Sequence, residues 1–115
     1  MDFGVIGIRS KHLSFFQAAL KRLYPDGKHR ITHICGYDAP LLRDSWPTLH
    51  WCESPQELIS KTDAVIIALR EGYQHAALAE MALKAKKPVF LDKPFTCDPK
   101  EAWEIVRLAR GLSVP

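Results

Sequence analysis

The sequence predicts an α/β fold of three layers, a mainly parallel sheet with helices on both faces. Three observations predict it. Short apolar runs alternate with helix-patterned segments along the whole chain, the order produced when parallel strands are joined by helical crossovers. The run Ala64-Val65-Ile66-Ile67-Ala68-Leu69 carries no polar alternation, as expected of a strand covered by helices on both sides. The chain begins with an apolar strand, a glycine turn and a helix start between Phe3 and His12. At 115 residues this is one domain, long enough to bury roughly two-thirds of its unfolded surface.

Each element has its own signal. Phe3 to Ile8 is the first strand. Ser10 is a suitable N-cap for a helix whose Leu13, Phe16, Leu20 and Leu23 recur at helical spacing. Pro25-Asp26-Gly27 ends that helix. Arg30 to Gly36 reads as strand two, with Ile31, Thr32 and Ile34 β-branched. A short helical or irregular stretch from Asp38 to Pro47 follows, and Thr48 to Cys52 forms a short third strand. Ser54-Pro55-Gln56-Glu57 is a capping box with proline at the first helical position. Strand four spans Ala64 to Leu69, and Gly72 to Lys84 is a helix rich in small residues. Pro88 to Leu91 is the next strand. Asp98-Pro99-Lys100-Glu101 opens a last helix with Ala102, Ile105, Val106 and Ala109 inward and Gly111 as its C-cap. Leu112 to Pro115 reads as the start of a further strand.

Composition excludes several classes. The net charge of +3 comes without a Lys/Arg run long enough for a nucleic-acid tail. Lys84, Lys86 and Lys87 read as a solvated helix end. The longest apolar run is far too short for a bilayer, and Asp2 without a basic leader argues against a signal peptide. A cytoplasmic protein with neither nucleic-acid nor membrane partners is expected. Cys35, Cys52 and Cys97 are odd in number and form no C-x-x-C, so no disulfide framework or zinc site is expected. No His, Asp and Glu set shows metal-ligand spacing. His33 and His50 are assigned to core or surface roles, and Trp46, Trp51 and Trp103 to packing.

The glycine turn carries the chemistry. Strand, tight turn and helix N-terminus present backbone N–H groups to a pyrophosphate. Of the three glycines in G-x-G-x-x-G, only Gly7 is present; Arg9 and His12 stand at the other two positions. Arginine at the second position adds a Cβ where backbone and pyrophosphate approach closely, yet its guanidinium can grip a phosphate, with Lys11 beside it. Both outcomes remain open, as does a packed first-turn role for His12. Asp38, the candidate ribose-binding acid, falls later than the usual spacing of about 20 residues and could instead cap a helix.

Three segments together resemble the N-terminal nucleotide-binding domain of the Gfo/Idh/MocA (glucose–fructose oxidoreductase / inositol dehydrogenase) family. They are Phe3-Gly4-Val5-Ile6-Gly7 with His12, Thr62 to Ala68 followed by His75, and Lys87-Pro88-Val89-Phe90-Leu91-Asp92-Lys93-Pro94-Phe95. The resemblance implies a Rossmann-like fold over 1–115 that binds NAD or NADP. It further implies hydride transfer on a sugar-like or polyol alcohol or carbonyl, with a C-terminal substrate domain that this chain lacks. Gly7, Ile8, Arg9, Ser10, Lys11 and His12 would line the pyrophosphate; Leu69 and Arg70 would face the ribose side. Asp38 and His75 complete the expected cofactor set. Lys93 matches the lysine near nicotinamide and substrate and would polarise the reacting oxygen, whereas Asp92 stands where glutamate is more common and supports the turn. The bland alternative for Lys93 is a surface ion pair with Asp92. Alone, the chain should have little turnover, because substrate positioning is missing. The alternative function is a Rossmann-like binding or assembly module that has lost dinucleotide binding. The resemblance places homo-oligomer contacts mainly in the second domain, leaving this piece either monomeric or self-associating through an open sheet edge.

Overall fold

The computed structural model describes residues 1–7, 12–36 and 45–115. Five parallel strands, β1 (Asp2–Ile6), β2 (Arg30–Cys35), β3 (His50–Trp51), β4 (Ala64–Ile67) and β5 (Val89–Leu91), lie in the order β3-β2-β1-β4-β5. The chain runs outward from β1 to one edge, then returns to start β4 on its other side. In open α/β sheets such a reversal leaves a crevice at the carboxyl ends of the strands.

Helices cover both faces, giving the three-layer Rossmann-like architecture. On one face α1 (His12–Leu23) sets Leu13, Phe16 and Leu20 against Val5, Ile31, Ile34 and Ile66. The other face carries α2 (Pro55–Lys61), α3 (His75–Lys84) and α4 (Pro99–Leu112), whose Leu58, Ile59, Ala79, Ala82, Leu83 and Ile105 pack on Val65 and Ile67. All four residues of β4 are buried, which explains its unbroken apolar run. The small side chains of α3 let it lie close to the sheet, with Ala79 and Ala82 fully buried.

The capping signals hold with shifted partners. Ser54 Oγ accepts from Glu57 N at 3.2 Å, but the Glu57 carboxylate reaches back to Glu53 N rather than to the Ser54 amide. Asp98 caps α4 through Lys100 N at 2.8 Å. The predicted C-cap at Gly111 is corrected: α4 runs on to Leu112, and Ser113 takes the left-handed conformation at φ 53°. The extra turn buries Val114 in the core, and Val114 N donates to Ala109 O at 3.0 Å, closing the helix without glycine. In place of the expected further strand, the Pro115 carbonyl accepts a single bond from Val89 N.

Other boundaries also shift. The first turn of the expected Gly72–Lys84 helix is 3₁₀ (Gly72–Gln74). Strand four stops at Ile67 and the third strand is only two residues long. Trp103 does not pack: it is 72% exposed, because the inward face of α4 is set by Ala102, Ile105 and Ala109, about 100–160° away around the helix. Leu23, at the end of α1, is likewise exposed. Lys86 is more than a solvated helix end, since its ammonium donates to Leu112 O at the carboxyl end of α4. No helix among the described residues is long and apolar enough to cross a membrane.

Candidate functional site

A cleft of about 270 Å³ opens at the carboxyl ends of β4 and β5. Ala68, Leu69 and Arg70 line it after β4, Asp92, Lys93 and Pro94 after β5, and His12 from the first turn of α1. Three segments far apart in sequence thus meet beside the point where strand order reverses. His12, Leu69, Arg70 and Lys93, all singled out from sequence, share this one cavity.

Two glycines shape it. Gly7 leaves β1 with φ +98°, a conformation L side chains rarely adopt, and a Cβ there would stand 2.7 Å from Leu69 N and 2.9 Å from the Ala68 carbonyl carbon. Its own N–H donates to Cys35 O at 2.9 Å. The first fingerprint glycine therefore lets the ends of β1 and β4 touch backbone to backbone. Gly72 was not recognised from sequence as part of the site. A Cβ at Gly72 would meet Pro94 Cγ at 2.5 Å and Cys97 Sγ at 3.1 Å, so this glycine lets the loop after β4 press against the Lys93-Pro94 turn. Only the fold brings positions 72 and 94 together, and no local pattern announces it.

The charges in the cleft are unevenly paired. Asp92 is engaged by His12, whose Nδ1–H donates to Oδ2 at 2.5 Å across 80 positions of sequence. A carboxylate accepts only, so the hydrogen lies on Nδ1. The ring edge of His12 also meets Phe16, 6.3 Å between centroids. Arg70 and Lys93 are exposed, and neither forms an ion pair or side-chain hydrogen bond among the described residues. The surface ion pair weighed for Lys93 is therefore not formed: its carboxylate neighbour is held elsewhere.

His75 lies behind this surface. Its side chain has no exposed area and Nε2 donates to Leu69 O at 2.9 Å, while Nδ1 has no partner among the described residues. Any influence of His75 on a ligand passes through the Leu69 backbone it holds. The calls on Ile8, Arg9, Ser10, Lys11 and Asp38 lie outside the described residues.

A second gathering of reactive side chains sits on β2 and β3. His33 and His50 are paired in register and stack at 5.0 Å, and His33 Nδ1 shares a hydrogen bond with the Thr32 hydroxyl at 2.8 Å. Burial, then His50 and Lys61, hold the His33 imidazole below its ordinary value, against Asp2 and Glu57. Cys35 and Cys52 are buried free thiols. Desolvation pushes Cys35 up to about 11, with Cys52 and Glu57 adding to it. Such thiols are poor nucleophiles. Among the described residues no group of three or more His, Cys, Asp and Glu could hold a metal ion.

The parallel sheet, helices on both faces and a cleft at the strand ends define a Rossmann-like α/β domain. The family model for oxidoreductases with an NAD-binding Rossmann fold (Gfo/Idh/MocA) matches residues 1–115, and the chain belongs to this family. It is 32% identical over 80 residues to the uncharacterized oxidoreductase YdgJ of Escherichia coli K12, covering 69% of this chain and 23% of that protein. Among solved structures it resembles a Klebsiella pneumoniae protein named "putative oxidoreductase", with TM-score 0.82 and 30% identity, over 99% of this chain and 33% of that one. It also resembles the UDP-N-acetylglucosamine 3-dehydrogenase GnnA of Acidithiobacillus ferrooxidans, with TM-score 0.77 and 26% identity, over 99% and 35% of the two chains. The chain thus spans about a third or less of the proteins it matches. The residues present fit the family's cofactor: Arg70 and Lys93, which have no ion-pair partner among the described residues, line the cleft, and Gly7 keeps the backbone beside it free of a Cβ.

Proposed function

We propose that this chain is the nucleotide-binding part of an NAD(P)-dependent oxidoreductase that transfers hydride to or from a sugar-like or polyol substrate. One observation carries the reading. Among the described residues Lys93 has no ion-pair partner in the cleft at the carboxyl ends of β4 and β5, and Asp92, the carboxylate that lines the cleft there, is turned away onto His12. A bound nicotinamide would supply the hydride acceptor or donor. The Lys93 ammonium would donate a hydrogen bond to the reacting oxygen and stabilise the negative charge that builds there as hydride is transferred. Arg70, which also lines the cleft, would offer its guanidinium to an anionic group of the cofactor. Leu69, fixed through its carbonyl by His75, supplies apolar wall. The 3-dehydrogenase named above, which acts on a nucleotide sugar, supports a sugar-like substrate.

Calorimetric titration with NADH and with NADPH tests the binding half of this reading, and an Arg9→Gly variant sharpens it. Saturable binding of at least one dinucleotide is expected. A folded chain that binds neither, as wild type or as Arg9→Gly, would instead be a binding or assembly module. In the full-length protein, Lys93→Ala should lower kcat by about 10²-fold or more with a smaller change in cofactor affinity. An unchanged kcat removes Lys93 from the chemistry.

A further inference from the structure

The pairing of His12 with Asp92 answers a problem that the sequence poses. A lysine placed directly after an aspartate, in a cleft that both line, invites an internal ion pair. That pair would occupy the amine a ligand needs and would favour its charged form. The structure shows a different arrangement: Asp92 is 18% exposed and hydrogen-bonded to His12, while Lys93 has no ion-pair or side-chain hydrogen-bond partner among the described residues. His12 reaches Asp92 from another element, the first turn of α1, and makes a T-shaped ring contact with Phe16, which in turn packs on Phe90 of β5 at 5.7 Å. Helix and strand end are therefore joined at this corner by one hydrogen bond, His12 to Asp92, and one ring contact, Phe16 to Phe90.

The geometry points to His12 as a positioning residue that sequesters Asp92 and so keeps the neighbouring Lys93 amine free for a ligand oxygen. This inference rests on the reading of Lys93 given above, but its central claim concerns only which group Asp92 bonds. It predicts an unusual pattern of rescue. Without His12, Asp92 has Lys93 beside it in sequence and Arg70 across the cleft, and either contact reduces the charge offered to a ligand. Removing the carboxylate as well should free the cations again. A purely structural His12 predicts the opposite, because a second lesion at the same contact would repair nothing.

Competitive acetylation with acetic anhydride, resolved by peptide mass spectrometry, reads the availability of each lysine amine in the full chain; exposed Lys100 serves as internal standard. Relative to Lys100, Lys93 in His12→Ala should react about three- to tenfold more slowly than in wild type, because a new carboxylate contact holds the amine as a protonated hydrogen-bond donor. His12→Ala/Asp92→Asn should return to the wild-type rate. His12→Gln, whose amide still donates, should keep it and shows whether lost packing alone is responsible. An unchanged Lys93 rate in His12→Ala, or no recovery in the double variant, overturns the inference. Parallel titration with NADH separates the two readings. If the labelling pattern holds while the wild type binds no NADH or NADPH, the nucleotide reading fails and the role of His12 stands. If NADH binds but the labelling pattern is absent, the reverse follows.

Discussion

Two histidine contacts, one at each side of the sheet, use the same chemistry to different ends. At β2 and β3, His33 stacks on His50 over the buried thiols Cys35 and Cys52, and burial holds the imidazole and thiols in their neutral forms. At the ends of β4 and β5, His12 binds a carboxylate in an open cleft and leaves two cations facing solvent. The difference follows from position. Within a strand pair the helix packed above removes water, so ionisable groups pay for charge and become neutral. Beyond the last strand residues the cleft is open to water, and the charges of Arg70 and Lys93 are exposed to meet a ligand. A chemical residue type is thus a poor guide to function until its place along the strand is known.

The largest way to break this contrast is Gly7→Ala. Backbone clash with Leu69 and a disfavoured φ should cost about 2 kcal/mol or more, seen as a fall in Tm of about 10 °C. It should distort the cleft and leave the His33–His50 stack in place if the fold persists, which histidine ring resonances would show. Gly72→Ala comes next. Its Cβ must push the Pro94 ring, at a cost of about 1–3 kcal/mol, and the Lys93 amide resonance should move more than that of His50.

A smaller effect belongs to the other side of the sheet. His33 has a lowered value in the folded state, so around pH 6.5 the unfolded chain binds more protons. Its contribution to stability is therefore complete above about pH 6.5 and is lost as pH falls below it. Thermal melts at pH 7.5 and pH 5.5 should differ less in His33→Gln than in wild type; equal slopes would remove His33 as a cause. The smallest perturbation is thiol labelling. With Cys35 at about 11 and buried, a maleimide at pH 7.5 should modify exposed Cys97 quickly and reach Cys35 and Cys52 only on unfolding. Rapid modification of all three would show that the β2–β3 side is as open as the cleft.

Much of the fold was legible because its signals are local. Ser54-Pro55 and Asp98-Pro99 announced the starts of α2 and α4, and the unbroken run at Ala64 announced a strand buried on both faces. The misreadings share a cause. Gly111 looked like a helix end, but burial of Val114 decided where α4 stops. Trp103 looked like a packing residue, but its angle around α4 turned it outward. In the site, Lys93 and His12 were legible from motif position, whereas the roles of Asp92 and Gly72 were not. Each depends on a contact with a residue tens of positions away.

The sequence by itself determined the alternation of strands and helices, the buried central strand and the presence of a glycine turn at the head of α1, because hydrophobic period and capping act over a few residues. Only the tertiary structure decided that Asp92 faces His12 rather than Lys93, that Gly72 admits Pro94, and that His75 holds Leu69 from behind. Those choices depend on which strand ends the parallel order brings side by side. The physical reason is range: a side chain declares its preferences locally, but its partner is assigned by the packing of the whole sheet.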